Sequence, residues 1–319
     1  MKTEQAVSLG RGAVPQLRDL RTAQRAVPTV WLNLVCLDAP LVAVAWLWLF
    51  ARTFRVPLQI GNGVALFLTA WLIYLADRFA DSSTLKPDLP RSLRQNFCLQ
   101  YRELWIVMIA LVAGFDAYVI WRTTALQTFL VGAVVGIIAV AYLVVNHPLG
   151  LIWRSLPAKE LAIGILFAAG TIVALLPRIL LTRNFAIAVL AFAALCSLNC
   201  VSIAGWEEEL DRAQRKVSLA TRHPGVARFI TTICVWFGFV ALVLGMVFQP
   251  AARIFVCIGL SALLLGWLNA SPRFKEGRFT NRPRRFVNRR SLDFVQDERT
   301  ALADLVLLTP ILFLIVTVL

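Results

Sequence analysis

The chain has 319 residues, 59% of them hydrophobic, with a mean hydropathy of +0.73 and a formal net charge of +14. Soluble globular domains contain about 45–50% apolar residues, so this composition excludes a soluble protein and indicates an integral membrane protein. The basic excess is typical of loops at one membrane surface. We expect no nucleic-acid partner, because the longest basic stretch adjoins apolar helices and suits an anionic lipid surface.

Residues 1–30 hold five Lys and Arg and lack an apolar core, so they predict a basic amino-terminal segment and not a cleavable signal peptide. Nine apolar segments follow, each close to the length of about 20 residues that crosses a bilayer. They predict an all-α, multi-pass membrane protein with a single transmembrane domain over residues 31–319. The predicted helices cover roughly 31–51, 57–76, 104–121, 125–145, 160–177, 185–206, 228–248, 252–269 and 302–319.

The distribution of Lys and Arg predicts the orientation of these helices. Of the 32 Lys and Arg residues, 26 lie in the amino-terminal segment and in the connections that follow even-numbered helices. Cytoplasmic loops carry such an excess. We therefore expect the amino terminus and the long connections in the cytoplasm, with the chain in a bacterial inner membrane.

Two acidic clusters follow predicted helices 2 and 6, on the side that is expected to be cytoplasmic. The first is the pair Asp77 and Asp81, and the second is the run Glu207-Glu208-Glu209-Leu210-Asp211. In each cluster two carboxylates are four residues apart, which places them on one face of a helix. They repel each other by a few tenths of a kcal/mol and oppose the helix dipole. A bound cation would remove both penalties, although solvated charges at a helix end are the plainer interpretation of either cluster alone.

Basic residues accompany both clusters, and the combination suits a diphosphate. Mg²⁺ is commonly held by one or two carboxylates together with phosphate oxygens, and such binding makes a diphosphate a better leaving group. Arg and Lys side chains can hold the remaining oxygens. A prenyl diphosphate fits this surface, because its head would lie at the interface and its chain in the hydrocarbon. The basic residues are Arg78, Lys86, Arg91 and Arg94 after the first cluster, and Arg212, Arg215 and Lys216 after the second.

The stretch IYLADRFAD, residues 73–81, resembles the first motif of the UbiA superfamily of intramembrane prenyltransferases, NDxxDxxxD, which commonly has Arg after the middle Asp. Asp77, Arg78 and Asp81 match, whereas Ile73 and Tyr74 stand where the family has Asn and Asp. The departure removes up to two oxygen ligands from the first motif.

The second family motif, DxxxD, is similar to Glu207 through Asp211, with Glu in the first place. Two weaker similarities support the resemblance: AVPTVWLN, residues 26–33, at the entry to helix 1, and LPAKE, residues 156–160, before helix 5. The motifs cover about 20 residues, whereas the helix count and the loop positions extend over the chain.

The resemblance implies a Mg²⁺-dependent transfer of an isoprenyl group from a prenyl diphosphate to a lipid-soluble acceptor, with an aromatic acceptor expected. It also implies roles for individual residues. Asp77, Asp81, Glu207 and Asp211 would hold Mg²⁺, with Glu208 as a further ligand, and Arg78, Lys159 and Arg94 would bind the diphosphate.

Several polar and aromatic residues in the apolar segments are candidates for the prenyl or acceptor pocket. Aromatic rings could stabilise an allylic cation, although Trp and Tyr also collect at membrane interfaces. Acids inside membrane helices are functional candidates by default. Asp304, by contrast, is explained by its place near the start of helix 9. The candidates are Asn33, Asp38, Tyr74, Tyr142 and Asn199, with Trp71 as a further aromatic.

Two alternative functions remain open. The first is a UbiA-like protein that binds a lipid or isoprenoid without transferring it, which Ile73 and Tyr74 favour. The second is a secondary transporter that uses Asp38 and Asp116; that class typically has paired broken helices or an internal repeat, and the sequence shows neither clearly.

Overall fold

The computed structural model describes residues 28–146, 159–223, 225–271 and 298–313, without the side chains of residues 28, 29, 146 and 226–228. Most of the predicted basic amino-terminal segment therefore lies outside the described residues. The described part is all-helical and contains no strand, which confirms the predicted all-α class.

Twelve α-helices and a carboxyl-terminal helical segment make up the described part of the chain. The helices are α1 Pro28–Leu34, α2 Asp38–Thr53, α3 Ile60–Ser83, α4 Leu93–Gln100, α5 Arg102–Thr123, α6 Leu126–Asn146, α7 Lys159–Ile172, α8 Arg183–Trp206, α9 Glu208–Ala213, α10 Leu219–Arg222, α11 Val226–Val247 and α12 Ala252–Ala270. The C-terminal segment, residues 298–313, is interrupted by a 3₁₀ turn at Val306–Leu308.

Six of the described helices are long and apolar enough to cross a membrane, so the chain has the character of an integral membrane protein. They are α3, α5, α6, α8, α11 and α12. The described parts of predicted helices 1, 5 and 9 are shorter. A count of nine spans therefore stays a prediction.

Predicted helix 1 is broken into α1 and α2. The backbone turns at Cys36, whose φ is 60°. The Leu37 amide bonds to the Leu32 carbonyl at 2.8 Å and the Cys36 amide to the Asn33 carbonyl at 3.2 Å, which is the Schellman pattern that ends helices. Such a turn usually contains Gly, because other residues pay about 1 kcal/mol or more for the left-handed conformation. No glycine marks this break in the sequence.

Arg55 and Arg215 adopt the same left-handed conformation, with φ of 55° and 58°. Each ends a helix with the same pair of backbone hydrogen bonds. At Arg215, the Lys216 amide bonds to the Asp211 carbonyl at 2.8 Å and the Arg215 amide to the Arg212 carbonyl at 3.1 Å. This turn follows α9 and fixes the direction in which Lys216 leaves the helix.

The main core lies between α2, α7, α8 and α12. Trp46 stacks on Phe192 with ring centroids 4.3 Å apart, and Phe50 and Phe185 pack beside them. Helix α12 is the most buried of the six spans, whereas α6 presents most of its surface outward. Exposed apolar side chains on α5, α6 and α11 are expected of helices that face lipid.

Glycines allow two helix pairs to approach closely. A Cβ at Gly238 on α11 would lie 3.1 Å from the Gly259 carbonyl oxygen on α12, and the reverse distance is the same. A Cβ at Gly164 on α7 would overlap Ser197 of α8. Small residues at such crossings are typical of membrane helices, because association there depends on close packing.

The C-terminal segment is held by side-chain donors from other helices. Pro310 has no amide hydrogen for the Val306 carbonyl, and that carbonyl accepts a hydrogen bond from Ser261 Oγ at 2.8 Å instead. Trp46 Nε1 donates to the Leu307 carbonyl at 2.7 Å. These bonds tie the segment to α2 and α12 at the point where its helix is interrupted.

Candidate functional site

The first acidic motif lies on the last two turns of α3, which continues to Ser83. The predicted helix ended at residue 76, so that boundary was too early. No Gly or Pro interrupts residues 64–86, and the charged residues find partners that offset their cost within the helix. Asp77 and Asp81 are therefore one turn apart on a continuous helix.

Asp81 is bound by a lysine from the second motif's loop. Lys216 Nζ lies 2.6 and 2.8 Å from the two carboxylate oxygens of Asp81. Gln95 Nε2 donates to the same carboxylate at 3.0 Å, and the side-chain oxygen of Gln95 accepts from Gln214 at 2.9 Å. Helix α4, which carries Gln95, is fixed by a capping box at Ser92. These contacts join the connection after α3 to the connection after α8.

The second motif crosses the junction between α8 and α9. Glu207 lies between the two helices, and the Asp211 amide bonds to the Glu207 carbonyl at 2.8 Å. The Glu207 carboxylate is hydrogen-bonded and ion-paired with Arg94 and also accepts from Thr300 Oγ1 at 3.3 Å. Thr300 belongs to the C-terminal segment, so three separate parts of the chain meet at Glu207.

The remaining acids of the second motif differ from one another. Glu208 forms an ion pair with Arg212 at 2.6 Å, and Arg212 is largely exposed. Burial and the neighbouring Glu207 carboxylate raise the pKa of Asp211 to about 6, against the opposing effects of Lys216 and Lys159. A carboxylate whose charge is disfavoured in this way would be stabilised by a cation.

Lys159 lies near acids of both motifs. It is the first residue of α7, and its charge acts on both Asp81 and Asp211. Together with Arg94 and Lys216 it forms the basic triad, three cations that adjoin the acids of both motifs. Lys159 and Arg94 were predicted as diphosphate ligands, and the structure brings both to the acidic motifs.

Among the described residues, no three or more His, Cys, Asp and Glu side chains are grouped to hold a metal ion. Mg²⁺ that is bound with a phosphate needs only one or two carboxylates. Of the predicted ligands, Asp81, Glu207 and Glu208 are ion-paired with protein cations. Burial and the neighbouring Glu207 raise the pKa of Asp211, so a cation would stabilise its charged form.

Arg78 is buried and points back along α3 toward Tyr74, one turn earlier. Its side chain is 7% exposed and donates to the Tyr74 hydroxyl at 2.8 Å, with the guanidinium 5.0 Å from the centre of the ring. The guanidinium also acts electrostatically on Asp38 and Glu207. One face of Tyr74 is therefore covered by a cation, and Arg78 links the acidic motifs to the interior.

Three of the predicted pocket residues meet in the interior. Asn33, Asp38 and Asn199 are 1%, 1% and 5% exposed. Asn33 Nδ2 donates to Asp38 Oδ2 at 2.5 Å, and Asn199 Nδ2 donates to Asp304 Oδ1 at 2.8 Å. The carboxyl groups of Asp38 and Asp304 bond to each other. We call Asn33, Asp38, Asn199 and Asp304 the buried polar cluster.

The other aromatic and acidic candidates lie elsewhere. Tyr142 on α6 is close enough to Asp77 and Glu160 to feel their charges. Trp71 donates its indole N–H to the Val35 carbonyl at 2.9 Å, so it satisfies the backbone at the break in helix 1. Asp116 accepts from Thr69 between α3 and α5.

Sequence reasoning missed two residues that the geometry makes prominent. In the sequence, Lys216 is one of several basic residues after the second motif, and its position five residues after Asp211 is the feature that could single it out. Asp304 was explained by the helix dipole, and its pairing with Asp38 could not be read from two positions 266 residues apart.

Comparisons of the chain with protein-family models, with curated proteins and with solved structures give no match.

Proposed function

We propose that the chain is a membrane-embedded prenyltransferase that moves an isoprenyl group from a prenyl diphosphate to a lipid-soluble, aromatic acceptor and requires Mg²⁺. The observation that carries this proposal is the meeting of the two acidic motifs at Lys216 and Asp81. Acids and bases from α3, α4, α7 and α9 surround one place, as recognition of a diphosphate and its cation requires.

In such a complex, the basic residues of the chain would bind the anionic diphosphate and the acidic residues would bind the Mg²⁺ cation. The basic triad of Arg94, Lys159 and Lys216 would bind the diphosphate oxygens. Asp211, with Asp77 and the carboxylates released by Arg94 and Lys216, would hold Mg²⁺. The metal would supply neutralisation of the leaving diphosphate.

The interior would receive the hydrocarbon part of the reaction. Tyr74 and the covering Arg78 lie between the motif residues and the buried polar cluster. A donor with its diphosphate at the basic triad would have its chain directed into the apolar bundle. The acceptor would then approach the allylic carbon from the side of the cluster.

A second candidate function is isoprenoid or lipid binding without transfer. It is favoured by the ion pairs of Asp81 with Lys216 and of Glu207 with Arg94, because these carboxylates are already neutralised by the protein. Ile73 and Tyr74, in place of two metal ligands, favour it as well.

The deciding experiment is binding and turnover of tritiated farnesyl diphosphate by the purified full-length protein in detergent, with Mg²⁺ and with EDTA. We expect Asp77→Ala and Asp211→Ala to reduce Mg²⁺-dependent turnover by about 100-fold or more, the order of loss seen when a charge-stabilising group is removed. Glu209→Ala is the matched control, since Glu209 is an exposed acid within the same motif.

The outcomes separate the two candidates. Binding and turnover that need Mg²⁺ support the transferase. Binding that persists in EDTA without turnover supports the non-catalytic alternative. A wild-type protein that does not bind farnesyl diphosphate at all overturns both.

A further inference from the structure

The buried polar cluster contains two carboxyl groups in contact, which is costly within a helical bundle. Asp38 begins α2 directly after the break at Cys36, and Asp304 lies on the C-terminal segment. Two ionised carboxylates at hydrogen-bonding distance repel strongly, so such a pair retains one shared proton. The pair is then a carboxylate with a hydrogen bond from its neighbour, and it can accept one further proton.

The two members of the pair are not equivalent. Asp38 is enclosed, with Asn33 donating to one oxygen and the Ala39 amide donating to the other at 3.0 Å. Asp304 keeps some exposed surface and is held by Asn199. A molecule in the bundle could therefore reach Asp304, whereas Asp38 can only act through it.

Asn199 gives an independent indication of a ligand. Its side chain is 5% exposed, its amide nitrogen is used on Asp304, and its Oδ1 atom is buried without a hydrogen-bond partner. A buried polar atom left unpaired costs about 1–3 kcal/mol. A hydroxyl or other N–H or O–H group on a bound molecule would satisfy this oxygen while lying next to Asp304.

Other titratable groups surround the pair on several elements. Tyr74 and Arg78 face it from α3, Arg94 from α4, and Cys196 and Cys200 from α8. The two arginines connect the pair electrostatically to the acidic motifs, since Arg94 binds Glu207 directly.

We propose that Asp304 is the proton acceptor of the reaction and that Asp38 is its positioning residue; this rests on the proposed function. When the donor's allylic carbon–oxygen bond breaks, its electron pair leaves with the diphosphate. The acceptor's nucleophilic atom forms the new bond to the allylic carbon. The proton that it loses passes to Asp304, while the proton that the pair already shares moves onto the Asp38 carboxylate, whose oxygens accept from Asn33 and the Ala39 amide. Asn199 Oδ1 accepts a hydrogen bond from the same acceptor and orients it.

The first test examines the pair in the resting protein and does not depend on turnover. Infrared difference spectra of wild type and Asp304→Asn at neutral pH should show the loss of a protonated carboxyl band. Asp88→Asn is the control, because Asp88 is an exposed carboxyl in the connection after α3. A spectrum in which no protonated carboxyl is lost in Asp304→Asn overturns the shared proton and with it the proposal.

The second test measures transfer from tritiated farnesyl diphosphate to the oxygen of nonylphenol, with the methyl ether of nonylphenol as the matched acceptor that lacks the hydroxyl proton. We expect product only from the phenol and a loss of about 100-fold or more in Asp304→Asn, the usual contribution of a general base. Farnesyl diphosphate binding should remain, which distinguishes this result from a failure of the proposed function.

The positioning role of Asp38 has its own readout. Asp38→Asn should retain transfer at a reduced rate and shift the acidic limb of the pH–rate profile, whereas Asp116→Asn should not. Unchanged transfer in Asp304→Asn, or no product from nonylphenol in a wild-type protein that binds the donor, overturns the proposal.

Discussion

Arg215 shows how one residue positions the site. It adopts a left-handed conformation that glycine would occupy without steric cost, and the turn that it forms brings Lys216 to Asp81. The arginine side chain is exposed. The backbone conformation, and not a contact of the side chain, is therefore what the site uses.

We expect Arg215→Gly to stabilise the protein by about 1 kcal/mol, because it removes the left-handed penalty. The measurement is thermal unfolding in detergent. Arg212→Gly is the control: Arg212 lies inside α9, and glycine there should destabilise by a similar amount. Equal changes in unfolding temperature for the two substitutions would contradict a left-handed penalty at Arg215.

Asp211 predicts a pH dependence of stability. Burial and Glu207 raise its pKa to about 6 from an ordinary value of 3.8, so the folded protein binds a proton more tightly than the unfolded chain. The free energy of unfolding should therefore fall as the pH rises from 4 to 7, by on the order of 2 kcal/mol.

The test is chemical denaturation across this pH range in metal-free buffer. Asp211→Asn should flatten the profile and leave the protein more stable at pH 7. Added Mg²⁺ should reduce the loss in wild type if it binds at Asp211. A profile that is the same in wild type and Asp211→Asn would contradict the assigned pKa.

At the residue scale, the sequence predicts which acids matter better than it predicts their partners. The four-residue spacing of Asp77 and Asp81 can be read directly, because it depends only on helical periodicity. The partnership of Asp81 with Lys216 depends on a left-handed arginine, which no local pattern indicates. The burial of Arg78 could not be predicted either, because Arg78 lies between Asp77 and Asp81 at the end of an apolar segment, where a charged side chain is usually exposed.

Helix α7 begins with Lys159, and its packing on α8 determines where this lysine lies. A Cβ at Gly164 would lie 2.5 Å from the Ser197 amide nitrogen, whereas a Cβ at Gly170 would have nothing within 4 Å. Gly164 therefore lies at a close helix contact and Gly170 at an open position of the same helix, so alanine substitutions at the two sites can be compared directly.

Gly164→Ala should destabilise the protein by about 2 kcal/mol, the typical cost of overpacking, and should weaken farnesyl diphosphate binding because Lys159 moves with the helix. Gly170→Ala should be neutral or slightly stabilising, since alanine favours helix. Thermal unfolding and donor binding measure the two effects. A Gly164→Ala protein as stable as Gly170→Ala would argue against this packing.

At the element scale, apolar length predicts the spans more reliably than it predicts their ends and breaks. Helices α5, α6, α8, α11 and α12 lie within a few residues of the predicted segments. The extension of α3 to Ser83 was missed because hydropathy falls before the helix ends. The break at Cys36 was missed because it lacks the Gly or Pro that usually marks one.

The whole molecule has an end that carries both acidic motifs and an opposite end at the connections after α2, α5 and the 3₁₀ turn Leu176–Arg178. The uneven distribution of Lys and Arg predicts that the motif end faces the cytoplasm. The six native cysteines are free thiols, and five of them are buried. The native background in a labelling experiment should therefore be low.

We expect cysteines introduced at Asp88 and Glu209 to be shielded from an impermeant maleimide in intact cells and to react after the membrane is opened. Cysteines at Leu180 and Leu181, exposed near the other end, should react from outside. Labelling of both pairs from the same side would contradict the topology.

The position of the carboxyl pair depends on atoms far from either acid. Because Pro310 has no amide hydrogen, the Val306 carbonyl accepts from Ser261 instead, and the Leu307 carbonyl accepts from Trp46. These two carbonyls lie two and three residues after Asp304, so the two hydrogen bonds fix the position of Asp304. A Trp46→Phe substitution keeps the aromatic core and changes neither acid. It would nevertheless remove one of the two bonds that position Asp304. Under the proposed mechanism it should therefore change the rate of proton transfer, although Trp46 touches none of the reacting atoms.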